Sequence, residues 1–185
     1  MALFVGIRLG ASAGLLGGIW DAIIMRTVDL LLAFPILFLL IACIAMFGSE
    51  INVLVLILVM TSWMDLARIV RAEVLSLKQR DFIKSAIALG FSKRRILFVH
   101  LLPNLFPPII AIAVLRIADI ILLESSISFL GLGVQPPGIS WGTIIRDGRD
   151  VLATAWWITA FPGLAITTTT ISFHWIGGGI RKAVG

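Results

Sequence analysis

Asp81–Pro103, DFIKSAIALGFSKRRILFVHLLP, is the stretch on which the fold turns. It is polar and basic, and it interrupts a chain otherwise made of apolar runs. Phe82, Ile83, Ala86, Ile87 and Leu89 make an apolar stripe at helical spacing, with Asp81 at the end where an acid suits the helix dipole. Gly90 predicts the stop. Ser92 predicts an N-cap for a second helix, Lys93–Leu102, and Pro103 leads into the next apolar run. The expected result is a helix-turn-helix at a membrane face. On its residues alone it has two readings. One is an amphipathic helix resting on anionic lipid. The other is a docking element that receives force from a second protein.

Outward from this segment the chain is apolar in both directions. Of its 185 residues 59% are hydrophobic and 14% charged, too little charge to cover a soluble domain of this size. At about 20 residues per crossing there is room for roughly five spans. They are expected at Ala2–Trp20, Val28–Phe47, Ile51–Trp63 (extending to Ala67), Leu105–Leu130 and Trp156–Ile176. Trp20-Asp21 and Arg26 mark a polar break between the first two, and Pro35 predicts a kink. The segment 131–155, rich in Gly and Pro, reads as loop or short helix. The fold class is therefore all-α and polytopic, a single transmembrane domain over 1–185, with a polar loop at about 68–103 and a second at about 131–155.

Charge orients these runs. Residues 68–100 hold eight of the fifteen Lys and Arg, which places that loop in the cytoplasm. Alternation outward puts Arg26 and the Arg181-Lys182 tail inside, and the 48–50 turn and 131–155 outside. The N-terminus is then outside and the C-terminus cytoplasmic. The net charge of +5 belongs to cytoplasmic loops, so the expected partner is the lipid bilayer and not nucleic acid.

Chemistry-bearing residues are sparse. Gly6, Gly10, Gly14 and Gly18 recur every four residues, a seam on which a neighbouring helix can close. Arg8 projects to the other side of that helix. Arg116 and Asp119 have helical i,i+3 spacing, and Glu124 lies on the same run. Charges there should face a bundle interior or a wet path, so they read either as a translocation pathway or as a structural ion pair and an interfacial acid. No P-loop is present, and Gly177-Gly178-Gly179 lacks the following Lys-Ser/Thr, so it reads as a helix end. His100 and His174 have no motif partner, and Cys43 sits in an apolar run, so no metal site or other bound cofactor and no catalytic group is expected.

Two motifs resemble a known family. Ala86-x3-Gly90, then eleven intervening residues, then Leu102-Pro103 is similar to the "EAA" loop of binding-protein-dependent ABC importer permeases. Lys84-Ser85-Ala86 stands where the namesake has Glu-Ala-Ala. Glu124-Ser-Ser-Ile-Ser-Phe-Leu-Gly-Leu-Gly133, Gln135-Pro136-Pro137 and Ser140-Trp141-Gly142 resemble the dipeptide/oligopeptide/nickel branch, a C-type permease subunit. Asp29-Leu-Leu-Leu-Ala-Phe-Pro35, Ala67-Arg68-x-x-Arg71-x-Glu73, His100-Leu-Leu-Pro-Asn104, Trp156-Trp157 and Phe161-Pro162-Gly163 follow in the family's order.

The resemblance implies a type I importer transmembrane domain in a prokaryotic cell membrane. It also implies ATPase coupling through Asp81, Lys84, Ser85, Ala86, Leu89 and Gly90. Its implied partners are nucleotide-binding ATPase subunits that hold ATP and Mg, a second permease in a heterodimer, and an extracytoplasmic substrate-binding protein. The cargo would be peptides or related substrates such as nickel. The family's additional N-terminal span has no counterpart here and its acidic tail is missing at Gly177–Gly185, so an N-terminally truncated form is expected. The competing classes are an ion-coupled transporter or channel relaying through Asp29, Asp119 or Glu124, and a membrane-embedded enzyme, for which no converging nucleophile or ligand set is found.

Overall fold

The computed structural model describes residues 1–184. Among them every regular element is helical: α1 (Ala2–Leu16), α2 (Gly18–Leu32), α3 (Ile36–Phe47), α4 (Ile51–Lys78), α5 (Asp81–Ala88), α6 (Lys93–Arg95), a π-helical turn (Ile96–Leu101), α7 (Leu102–Phe129), α8 (Trp141–Gly148), a 3-10 turn (Arg149–Val151) and α9 (Trp157–Val184). The five apolar runs are mostly helical, the first interrupted at Gly17 and the second at Ala33–Pro35. By length and composition α4 and the continuous run Ile96–Phe129 can each cross a membrane. Counting α2 and α3 as one broken span makes a third, and α1 is a shorter apolar helix.

The chain gathers into two compact units, one built mainly from Met1–Phe34 and Val59–Ile110, the other from Pro35–Leu58 and Ala111–Ala183. In the first, α1 lies backbone to backbone on α4. A Cβ at Gly6 would stand 2.7 Å from Leu66 Cβ, one at Gly14 2.8 Å from Val74 Cβ, and one at Gly10 2.9 Å from Val70 Cβ and against the Ala67 carbonyl oxygen. Small residues permit this approach where lipid supplies no hydrophobic drive between helices. Gly18, expected on the same seam, is not on it. Helix α1 ends at Leu16, Gly17 and Gly18 take φ of 66° and 59°, and neither has a neighbour near its would-be Cβ. Positive φ is open to Gly at no steric cost, so the pair turns the chain and does not pack it. Arg8 extends along α1, its guanidinium 4.6 Å from the Phe4 ring centre.

Three further boundaries depart from the sequence reading. The polar stretch 21–27 is not a break, because α2 runs through it to Leu32 and the interruption falls at Ala33–Pro35. Helix α4 does not stop near Ala67 but continues to Lys78, so Arg68 and Arg71 are helical. Pro103 does not end a short helix: α6, the π-helical turn and α7 follow one another without a gap from Lys93 to Phe129. Pro103 cannot donate to the Val99 carbonyl and its ring crowds it. The wider π-helical turn just before it accommodates that mismatch.

In the second unit, Leu40, Ile44, Leu54, Ile57, Leu58 and Ile127 form a core shared by α3, the start of α4 and α7. Helix α9 meets α7 at Gly177, where a Cβ would lie 2.8 Å from Leu115 Cγ. The triglycine at 177–179 is therefore inside α9 and not a helix end. Helix α8 is fixed on both sides by glycines, Gly142 against the Ser125 carbonyl and Ser128, and Gly148 against Ile158 and Thr159.

Candidate functional site

Helix α5 is strongly two-sided. Ile83 and Ala86 are buried in a core with Val70, Val74, Leu77, Ile96 and Leu101. Phe82, Lys84, Ser85, Ile87 and Leu89 are exposed, Leu89 to 73%. Asp81 occupies the first turn, with Lys84 Nζ 3.9 Å from its carboxylate. The C-terminal end is closed by two backbone bonds, Gly90 N–H to Ile87 O at 2.9 Å and Phe91 N–H to Ala86 O at 3.1 Å. This is a Schellman cap, and Gly90 at φ 74° supplies the left-handed residue it needs. Phe91 then packs on the core that holds Ile83 and Ala86, carrying the Arg95 guanidinium 4.1 Å from its ring centre and stacking on His100 at 5.9 Å. Ser92 Oγ accepts from the Arg95 N–H at 3.3 Å.

The residues expected to face a partner thus divide. Lys84, Ser85 and Leu89 lie on the open face together with Phe82 and Ile87. Ala86 does not: at 3% exposure it belongs to the seat of α5 on its own unit. The helical spacing that makes the stripe also turns Ala86 inward with Ile83, three residues earlier.

Charges behind α5 are organised by pairing that the sequence reading missed. Arg71 Nε and Nη2 donate to the two carboxylate oxygens of Asp21 at 2.5 and 2.6 Å, a bidentate pair between α4 and α2. Arg68 Nη2 donates to Asp29 at 2.5 Å. Lys78 Nζ donates to the carbonyls of Gly14 and Leu15 at 3.1 and 3.4 Å, which α1 leaves free at its C-terminal end. A signal was available. Two acids eight residues apart on one apolar helix and two arginines three apart on another each fall on roughly one face, and charges on such helices need partners.

The second candidate is on the other unit. Ser128, fully buried, donates to Glu124 Oε1 at 2.5 Å and accepts from the Val134 N–H at 3.1 Å. Gly133 is glycine because a Cβ would collide with Ser128. Ser140 and Thr143 form a reciprocal capping box that starts α8. Together these fold 131–148 back over the end of α7. Beneath it opens a cavity of about 560 Å³ walled by apolar side chains including Leu54, Leu58, Ile121, Ile144 and Trp141, with Glu124 in its lining. Arg116 and Asp119, expected on one pathway with Glu124, are not in that lining. They pair with each other, Nη1 to Oδ2 3.5 Å.

Residues 6–184 match the model of a family described as binding-protein-dependent transport system inner membrane component. The oligopeptide transport system permease protein OppC of Haemophilus influenzae is 36% identical over 184 residues, covering all of this chain and 59% of its own length. The protein of the same name from Escherichia coli is 38% identical over 168 residues, 91% of this chain and 56% of its own. The dipeptide transport system permease protein DppC of Alkalihalophilus pseudofirmus is 38% identical over 183 residues, 99% of this chain and 60% of its own. The chain spans less than two thirds of the length of these relatives.

Proposed function

Because the chain belongs to the family of binding-protein-dependent transport system inner membrane components, we propose that it is a transmembrane permease subunit of an ATP-driven peptide importer. The names of its oligopeptide and dipeptide relatives support the cargo. In this reading the chain sits in the inner membrane and moves substrate without hydrolysing ATP itself. ATP and Mg reside on separate nucleotide-binding subunits, a second permease completes the pathway, and a binding protein delivers peptide to the outer segment 131–155. The Lys/Arg distribution supports a cytoplasmic position for α5.

The observation that carries the coupling is the two-sidedness of α5. Its inner side is fixed in a core formed with α4 and the start of the long helix Ile96–Phe129. Its outer side leaves Phe82, Ile87 and Leu89 exposed, and such apolar side chains on one helix face serve a helix-in-groove contact. A push on the exposed side is delivered to the helices through Ile83 and Ala86. The relay alternative has less support, since two of its three acids are in ion pairs, Asp29 with Arg68 and Asp119 with Arg116.

The test is co-purification of the chain with cognate ATPase subunits in detergent. Leu89→Asp and Ile87→Asp change only exposed positions and should abolish capture while leaving thermal unfolding of the chain unchanged. Ala86→Asp is the wrong probe, because it buries a charge and would unfold α5 from its seat. Capture of the ATPase undiminished in both exposed-face variants would overturn the assignment.

A further inference from the structure

We propose that the cavity beneath 131–148 is a binding site for an apolar primary amine, and that during transport this amine is the free N-terminus of a peptide whose first residue is apolar. The peptide identity rests on the permease reading above; the amine chemistry does not.

The argument starts from the lining. The cavity, about 560 Å³, falls in the size range of small-molecule sites and is walled almost wholly by aliphatic and indole groups. Glu124 is the one ionisable side chain among the lining residues. Its carboxylate accepts a single hydrogen bond from Ser128 and forms no ion pair among the described residues. A carboxylate offers about four acceptor positions, so most of its capacity is unused. An acid against apolar walls favours a cation that can be desolvated with it, as an ion pair completed by hydrogen bonds. One carboxylate provides too few oxygens for a calcium or magnesium ion, which takes six or more ligands. An ammonium fits, because it presents three N–H donors and can satisfy one acid with one face. The rest of the ligand must then be apolar to match Leu54, Leu58 and Ile121. Trp141 adds an aromatic wall, which suits both an aliphatic side chain and a nearby cation.

Position agrees with chemistry. Ser128 holds Glu124 and Val134 at once, so the acid is placed by the same side chain that anchors the covering segment. The neighbouring depression of about 420 Å³, which shares Ile51 and Val134, is lined by Glu50, Asn52 and Gln135. Its acid has Ser49, Asn52 and Gln135 among its neighbours as well as Pro136 and Pro137, so it offers an internal comparison of equal charge and mixed surroundings.

The experiment is equilibrium dialysis of tritiated leucinamide against the full chain in lipid nanodiscs at neutral pH, with tritiated N-acetyl-leucinamide as the uncharged counterpart. Leucinamide should bind saturably and N-acetyl-leucinamide at least tenfold more weakly. Glu124→Gln keeps an oxygen for Ser128 and should weaken leucinamide about tenfold or more, the loss of one charge-assisted contact. Ile121→Trp fills the cavity with Glu124 intact and should remove leucinamide binding. Glu50→Gln should leave it unchanged.

Equal binding of the two ligands, an unaffected E124Q or I121W, or an equal loss in E50Q would each overturn the assignment. The assay contains no ATPase and no transport step. Its failure therefore removes the amine site alone, whereas undiminished ATPase capture by the two α5 variants removes the coupling reading and leaves the amine site standing.

Discussion

At the scale of single residues, the two ion pairs on α4 look alike in distance and differ in surroundings. Asp21 and Arg71 side chains are 19% and 32% exposed and meet through two parallel bonds. Asp29 and Arg68 are 57% and 52% exposed and share one. Solvent screens the second pair and leaves it about 0.2–1 kcal/mol. The first, with charge-assisted bonds in a drier place, should couple by about 1.5–3 kcal/mol. Double-mutant cycles with Asp21→Asn/Arg71→Gln and Asp29→Asn/Arg68→Gln, read by unfolding in detergent, should rank the pairs in that order. Equal coupling would mean that geometry contributes nothing beyond contact. These arginines also show a limit of reading residues singly. Arg68 and Arg71 lower local hydropathy and so suggest the end of a span. Helix α4 continues past them to Lys78, and their charges are met by acids some forty and fifty positions earlier, which no local window contains.

At the scale of elements, glycine has opposite roles in two helices. Gly10 in α1 sits where a Cβ would press on the Ala67 carbonyl and Val70, so Gly10→Ala must push the backbones of α1 and α4 apart. The expected cost is about 1–3 kcal/mol, the range for overpacking. Gly178 in α9 has nothing near its would-be Cβ, and Gly178→Ala should stabilise by about 0.5–1 kcal/mol through helix propensity. Thermal unfolding of the two variants should move in opposite directions. The four-residue spacing made Gly6, Gly10 and Gly14 legible, because spacing maps directly onto a helix face. It failed at Gly18, because the face persists only while the helix does, and spacing does not report where α1 ends. The same asymmetry runs through α5. Gly90 as a stop was legible from chemistry. The inward turn of Ala86 needed to know which side of the stripe the core takes. The π-helical turn ahead of Pro103 left no periodic trace at all.

At the scale of the molecule, the charge distribution predicts which segments lie on which side of the membrane. In a Cys43→Ser background, Lys84→Cys and Ile139→Cys should react with an impermeant maleimide from opposite sides, residue 84 in inside-out vesicles and residue 139 in right-side-out ones. Labelling of both from the same side would break the proposed topology and with it the cytoplasmic position of α5. Composition and charge were enough to place the chain in a membrane and to propose its orientation. They could not show the cavity beside Glu124, which exists because 131–148 returns over α7, a path set by Ser128, Gly133 and Gly142 together.

That return has a practical side. Ser128 holds Val134 by a hydrogen bond and Gly142 by direct contact, so the intervening residues 135–141 begin and end at one side chain. A loop pinned at a common root can change length at its tip without altering the separation of its ends. Ile139, 79% exposed, marks that tip. Its side chain also lines the cavity beneath, so a change at this tip reshapes the cavity wall while Ser128 and its two glycines keep the ends of the segment in place.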